Sequence, residues 1–316
     1  MTGFTKQSKL TLGLSGNSRL SLVFRNYQVY LMLIPCLLFF ILFCYGPMYG
    51  VQIAFKDYNT GLGIWDSPWV GLKHFKRFMD MPQFWQILKN TLFLSLYSLI
   101  AGFPVPILVS LMLNELSGKR LKKFIQTVTY APHFISTVVM VAMITLFFSP
   151  SSGFVNKLIE LFGGQPVHFM TRPSAFPHIY VWSGIWQHFG WGSIIYLATL
   201  ANLDEALHES AVIDGAGRLR RIWHINIPCL IPTVVIQLIL SMGGILGADF
   251  EKVLLMQNDS IRQTADVLST YTYRIGIQGS EFSLSSALGM FNSVINLAVL
   301  IGVNALCRKV GETSLW

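Results

Sequence analysis

Two stretches of this chain come close to catalytic motifs, and each misses at a position its chemistry requires. A P-loop needs glycine at both ends of GxxxxGK[ST], so that backbone amides can wrap phosphates. Around Gly118-Lys119-Arg120, Leu113 stands where the first glycine belongs and Arg120 replaces the Ser or Thr. A zinc-protease helix needs HExxH, which sets two His ligands one turn apart. His208-Glu209-Ser210-Ala211-Val212 has valine at its last position. His133, His178 and His188 stand without clustered acids or cysteines, and Cys36, Cys44, Cys229 and Cys307 form no CxxC pair. Those cysteines read as small hydrophobes. No nucleotide, metal or nucleophile site emerges, so energy for any work must come from a partner.

The side chains left over suit binding. Aromatic faces and uncharged hydrogen-bonding groups are what a sugar needs. Trp182, Trp186, Gln187, His188 and Trp191 fall in one apolar stretch, and Asn292, Ser293 and Asn296 in another. Trp182, Trp186 and Gln187 share one side at helical spacing, as do Asn292 and Asn296. Polar groups in a membrane span face the bundle interior or a water-filled path. Helix–helix hydrogen bonds and interfacial Trp anchors would use the same residue types. His133 follows Pro132 and marks a kink rather than a ligand.

The elements that must position these residues are set by where charge is missing. Of 316 residues, 53% are hydrophobic and only 12% charged, about half the roughly 25% of a soluble domain. Lys and Arg number 23 against 15 acids, a net charge of +8. A soluble enzyme, a disulfide scaffold and a disordered chain are excluded. A nucleic-acid binder would need its positive charge clustered on a soluble face. Six windows carry no Asp, Glu, Lys or Arg: 26–55, 90–114, 124–156, 173–202, 222–248 and 282–307. Each exceeds the roughly 20 apolar residues of a transmembrane helix. Backbone groups in hydrocarbon must pair internally, so the expectation is an all-α membrane protein of six spans.

Lys and Arg set the orientation. With the N-terminus inside, the inner segments hold 13 of the 23, in dense groups such as Lys119, Arg120, Lys122 and Lys123. Both termini are therefore expected in the cytoplasm. The domain reading is an N-terminal cytoplasmic segment (1–28), a first span with a long outer loop (29–88), a five-helix core (89–306) and a cytoplasmic tail (307–316). Trp65, Trp69 and Trp85 in the outer loop suit a membrane interface or a short amphipathic helix. Asp249, Glu251 and Lys252 follow the fifth span and are expected outside, lining the entry, touching a partner protein or ending a solvated helix. No cleavable signal is evident.

One inner segment, 203–228, is unlike the others. Glu205 to Ile213 holds good helix formers with Asp204 and Glu205 at its start, where the helix dipole favours acids. Leu207, Ser210, Ala211 and Asp214 share a face of small residues, and Asp214-Gly215 signals a turn. Such a helix is built to dock into a groove on another protein.

Glu209-Ser210-Ala211, Asp214-Gly215-Ala216 and Ile227-Pro228 together resemble the cytoplasmic EAA loop of ABC importer permeases. Ile222-Trp223-His224-Ile225, Ser241-Met242-Gly243-Gly244, Ser269-Thr270-Tyr271-Thr272-Tyr273-Arg274 and the tail Gly311-Glu312-Thr313-Ser314-Leu315-Trp316 resemble the carbohydrate branch. Within it, the likeness is to permeases for oligosaccharides from complex polysaccharides, uronate polymers such as alginate included. Ser210 stands where Ala is usual, Leu203-Asp204 where Pro is common nearby, and Ile227 where Leu precedes Pro.

The resemblance implies a type I ABC importer permease with a cytoplasmic coupling helix, in the bacterial inner membrane. It implies coupling residues Glu205, Leu207, Glu209, Ser210, Ala211, Asp214, Gly215 and Ala216. Glu209 would be the polar contact with the ATPase and Gly215 the turn. It implies a second permease in a heterodimer, two ATPase subunits that hold ATP and Mg, a periplasmic or lipid-anchored solute-binding protein, and no cofactor on this chain. The competing reading is an ion-coupled secondary transporter, which needs carboxylates within its spans and often inverted repeats; the six windows hold no carboxylate and no repeat is visible. A membrane enzyme would need a nucleophile–base pair or metal cluster.

Overall fold

The computed structural model describes residues 27–310, so Lys6, Lys9, Arg19 and Arg25 and the motif at 311–316 lie outside the described residues. Among those described, no β-strand forms and the chain is helical. Residues from Ile53 onward make one compact unit, and the segment ending at Gln52 makes another. The first segment holds helix α1 (Tyr27–Phe39), carried on through a π-turn at Phe40–Tyr45; the 3-10 turns at Tyr49–Phe55 lead out of it. It is apolar on every side, as a lipid-facing span must be.

In the larger unit a folded segment before the long helices comes first. Lys56 is buried; its Nζ donates to the carbonyls of Ile64 (2.6 Å) and Trp65 (3.2 Å) and lies 4.9 Å over the Trp69 ring. Helix α2 (Lys73–Met79) follows. Arg77 on α2 forks onto Glu281 at 2.7 and 3.0 Å, which holds the Glu281 carboxyl below its usual range. Trp65, Trp69 and Trp85 are all exposed, as an interfacial belt requires.

Helix α3 (Phe84–Gly102) runs nearly unbroken into α4 (Pro104–Asn114). Proline at the first helical position costs α4 no hydrogen bond. Next come α5 (Lys119–Tyr130) and α6 (Thr137–Phe147), set at 99° to each other. The third charge-free window is thus a bent pair instead of one straight span. Pro132 has no N–H to continue the ladder; Ile135 turns extended, and Ser136 restarts a helix by accepting from Val139 N at 3.4 Å. The kink expected at Pro132-His133 is there.

After α7 (Phe154–Leu161) comes α8 (Phe176–Ala201), 26 residues and roughly 39 Å long. The loop helix α9 (Glu205–Ile213) leads, through Arg218–Arg221 and a π-turn at Ile222–Asn226, into α10 (Ile227–Met242). Short helices, among them α11 (Phe250–Met256) and α12 (Leu268–Tyr273), precede the long α13 (Phe282–Val310).

Four stretches are long and apolar enough to cross a membrane: Tyr27–Phe55, Phe84–Asn114, Arg218–Met242 and Phe282–Lys309. The bent pair makes a fifth if taken as one span. Helix α8 has the length but carries Tyr, Trp, His and Gln. Its buried residues, from Phe176 to Leu200, explain how it tolerates them: protein, not lipid, surrounds much of it. Leu94, Met140, Ile144, Ile179, Tyr180 and Val253 knit α3, α6, α8 and α11 together. Phe78, Ile87, Leu268 and Leu284 join α2, α3, α12 and α13, while Leu111, Tyr196 and Leu230 join α4, α8 and α10.

Polar bonds fix the register of these helices, since apolar contact alone gives little drive in lipid. Asn90 on α3 donates to the carbonyls of Gln263 (2.9 Å) and Asp266 (3.0 Å). Leu268 N donates to Thr91 Oγ1 at 2.9 Å. Arg274 pairs with Asp266 beneath them.

Candidate functional site

The loop helix is built to stand by itself. Asp204 Oδ1 accepts from Ala206 N at 3.0 Å and closes the N-terminus of α9. At the other end Gly215 takes φ +75°. Its N–H donates to Val212 O at 3.0 Å, and Ala216 N–H donates to Ala211 O at 2.8 Å. That pair of bonds is a Schellman cap, which needs a left-handed residue where glycine stands. Ser210, the departure from the usual Ala, donates its hydroxyl to Leu207 O at 3.1 Å and so leaves no polar group unmet.

No residue of α9 is buried. Glu205, Glu209 and Asp214 are exposed, with Leu207, Val212 and, at 85%, Ile213 beside them. Beyond the cap Leu219 and Trp223 are exposed as well. Sequence spacing pointed to Leu207, Ser210, Ala211 and Asp214. It missed Val212, Ile213, Leu219 and Trp223, because exposure of an apolar side chain has no local signature.

The substrate-path candidates separate into three places. Trp182 and Trp186 line one cleft of about 700 Å³ with Met140, Met143, Phe147 and His178. There Trp182 Nε1 donates to Tyr97 Oη at 3.1 Å, and Tyr97 Oη lies 2.9 Å from His178 Nδ1. Gln187 leaves that face: it is buried, and its amide donates to Ile135 O at 2.8 Å, the carbonyl freed by the bend between α5 and α6. Asn292 lines a second cleft, of about 380 Å³, with Phe250, Ser269, Thr272 and Tyr273. Asn296 accepts from Leu246 N at 3.0 Å and so pins the turn after α10. The face that Trp182, Trp186 and Gln187 were expected to share therefore divides, and Asn296 has a bond to backbone in hand.

His133, at the kink, stacks on Trp191 at 4.5 Å, and its Nδ1 lies 3.1 Å from His188 Nδ1. Among the described residues, no group of three or more His, Cys, Asp or Glu could hold a metal ion.

Comparison with known proteins assigns this architecture. The family model for the binding-protein-dependent transport system inner membrane component matches residues 102–311, which contain the bent pair, α8, the capped loop and α10. The chain belongs to that family. This permease is 41% identical over 307 residues to protein LplB of Bacillus subtilis (strain 168), covering 97% of this chain and 96% of LplB. It is 42% identical over 288 residues to the polygalacturonan/rhamnogalacturonan transport system permease protein YteP of the same strain, covering 91% and 90%. A crystal structure of a bacterial ABC transporter involved in the import of the acidic polysaccharide alginate matches with TM-score 0.86 and 40% identity, over 93% of this chain and 99% of that one. A second, of the alginate transporter in complex with an alginate pentasaccharide-bound periplasmic protein, matches at TM-score 0.85. The fold is that of a type I ABC importer permease.

Proposed function

We propose that this permease is one half of the translocation path of an ATP-driven importer for oligosaccharides, uronate-bearing ones included, and that α9 is its coupling helix. The observation that carries the reading is the loop helix: capped at both ends, with no buried residue and with Leu207, Glu209, Val212 and Ile213 exposed. Exposed apolar side chains on a capped helix suit a partner's groove. The partner is an ATPase subunit, two per complex, which holds ATP and Mg. Glu209 supplies the polar contact, Leu207, Ser210, Ala211 and Ala216 the close approach, Glu205 and Asp214 the flanking charge, and Gly215 the turn.

The substrate class rests on the relatives, one a permease of a polygalacturonan/rhamnogalacturonan system and one from an alginate importer. A solute-binding protein on the outer side delivers the sugar, and a second permease, a different chain, completes the path. Switching is rigid-body rocking of the two halves. Trp182, Trp186 and Asn292 remain the pathway candidates that line clefts, with Gln187 and Asn296 behind them. Both termini face the cytoplasm.

Uptake of labelled trigalacturonate tests this. Depleting ATP is expected to stop it while dissipation of the ion gradient leaves it running. Glu209→Lys is expected to keep basal ATP hydrolysis and membrane insertion and to lose most uptake. Normal uptake by that variant removes Glu209 from the contact; gradient-dependent uptake removes the ABC reading.

A further inference from the structure

The sequence leaves Lys252 open between an entry lining, a binding-protein contact and a solvated helix end; in the structure the residue is 3% exposed. Asp249 caps α11 by accepting from Lys252 N at 3.2 Å, and its own N–H donates to Tyr180 Oη at 3.0 Å. These bonds dock the start of α11 on α8. They turn the lysine ammonium onto Tyr180, where it donates to the main-chain carbonyl at 3.0 Å and lies 5.0 Å over the ring. Gly184 makes the room, because a Cβ there would stand 3.2 Å from Nζ.

A lysine ammonium has three donors, and among the described residues only this one hydrogen bond is made. No carboxylate among them pairs with it. A buried charge with no ion-pair partner is among the costlier features a fold can keep. The ammonium lies at the wall of a cleft of about 350 Å³ lined also by Ser98, Gly102, His188 and Gly192, within the size range of small-ligand sites. An adjoining cleft shares Ser98, Tyr180 and Asp249 and adds the hydroxyls of Ser95 and Ser241. Ser95 Oγ is buried with no hydrogen-bond partner. Asp249 also faces this space, but it is exposed and its charge is screened by water, whereas that of Lys252 is not.

We propose that Lys252 is the residue that selects for an acidic substrate, its ammonium receiving a sugar carboxylate as the oligosaccharide passes the cleft that α3 and α8 line. The proposal rests on the importer reading above and deepens it. A carboxylate supplies a counter-charge in direct contact, which Asp249 does not, and the neighbouring serines meet sugar hydroxyls.

The test uses cells carrying the complete importer with the wild-type chain, Lys252→Met or Lys252→Arg. The probes are trigalacturonate and an alginate trisaccharide, with arabinotriose as the neutral control. Lys252→Met is expected to cut acidic uptake about tenfold, the worth of one charge-assisted hydrogen bond, and Lys252→Arg to restore most of it. The purified Lys252→Met complex is expected to melt no lower than the wild type, since methionine fits the same channel without a buried charge. Wild-type acidic uptake by Lys252→Met overturns the assignment. So does a loss of uptake matched by a loss of thermal stability, which marks the lysine as structural. Wild-type cells that take up neither acidic probe remove the acidic-substrate reading, and the proposal with it.

Discussion

Gly215 shows how one backbone angle can be tested apart from the space around it. Its φ of +75° is open to glycine, tolerable for asparagine and strained for a branched residue. A Cβ there would meet nothing within 4 Å, so any penalty comes from the backbone. Gly215→Asn is therefore expected to import near the wild-type rate, while Gly215→Val loses roughly 1–2 kcal/mol of cap stability and much of its uptake. Proline, fixed near −65°, is expected to uncouple ATP hydrolysis from transport altogether. Equal uptake by all three variants would show that the cap geometry is not used. The same residue-scale reasoning separates Gln187 from its neighbours Trp182 and Trp186. Its amide completes the backbone at the bend, so truncating it is a folding change before it is a substrate change.

At the scale of elements, α8 organises the core through a close crossing. A Cβ on Gly190 would lie 2.0 Å from the backbone oxygen of Thr129 on α5. Main chain cannot move aside as a flexible side chain can, so Gly190→Ala must push the two helices apart. Overpacking of this kind costs about 1–3 kcal/mol; a lower melting temperature of the purified complex is the expected result. Gly244→Ala, where a Cβ meets nothing within 4 Å, is the matched control and is expected to melt with the wild type. The helices themselves were legible from charge: every long stretch identified as apolar enough to span falls mainly on a charge-free window. The bend was legible only in part. Pro132 marks where the ladder breaks, but the 99° angle follows from Gln187 and the packing of α8, far away in sequence. The burial of Lys252 is illegible in the sequence for the same reason. Its partner, the Tyr180 carbonyl, lies 72 residues upstream, beyond any local pattern.

For the whole molecule, the distribution of charge makes an orientation that can be measured. The loop 203–228 carries Asp204, Glu205, Glu209, Asp214, Arg218, Arg220 and Arg221, and the basic cluster at the start of α5 belongs on the same side. A single cysteine replacing exposed Ser210, in a chain with Cys36, Cys44, Cys229 and Cys307 replaced, is expected to resist an impermeant thiol reagent in intact cells. It is expected to label fully in inverted vesicles. Labelling in intact cells would reverse the orientation and put the proposed ATPase contact on the wrong side of the membrane.

The run from Arg218 to Met242 is one helix of 25 residues, about 37 Å from end to end. Its inner end is fixed to the Schellman cap of α9 through only Gly217, and its outer end meets the turn that Asn296 pins. A rod of that length magnifies small rotations. Tilting its foot by about 5° would carry the far end sideways by about 3 Å, the width of one hydrogen bond. A displacement of that size at Leu246 would break the bond to Asn296 or drag α13 along with it. The loop and the outer turn, a full bilayer apart, thus form two ends of one mechanical part.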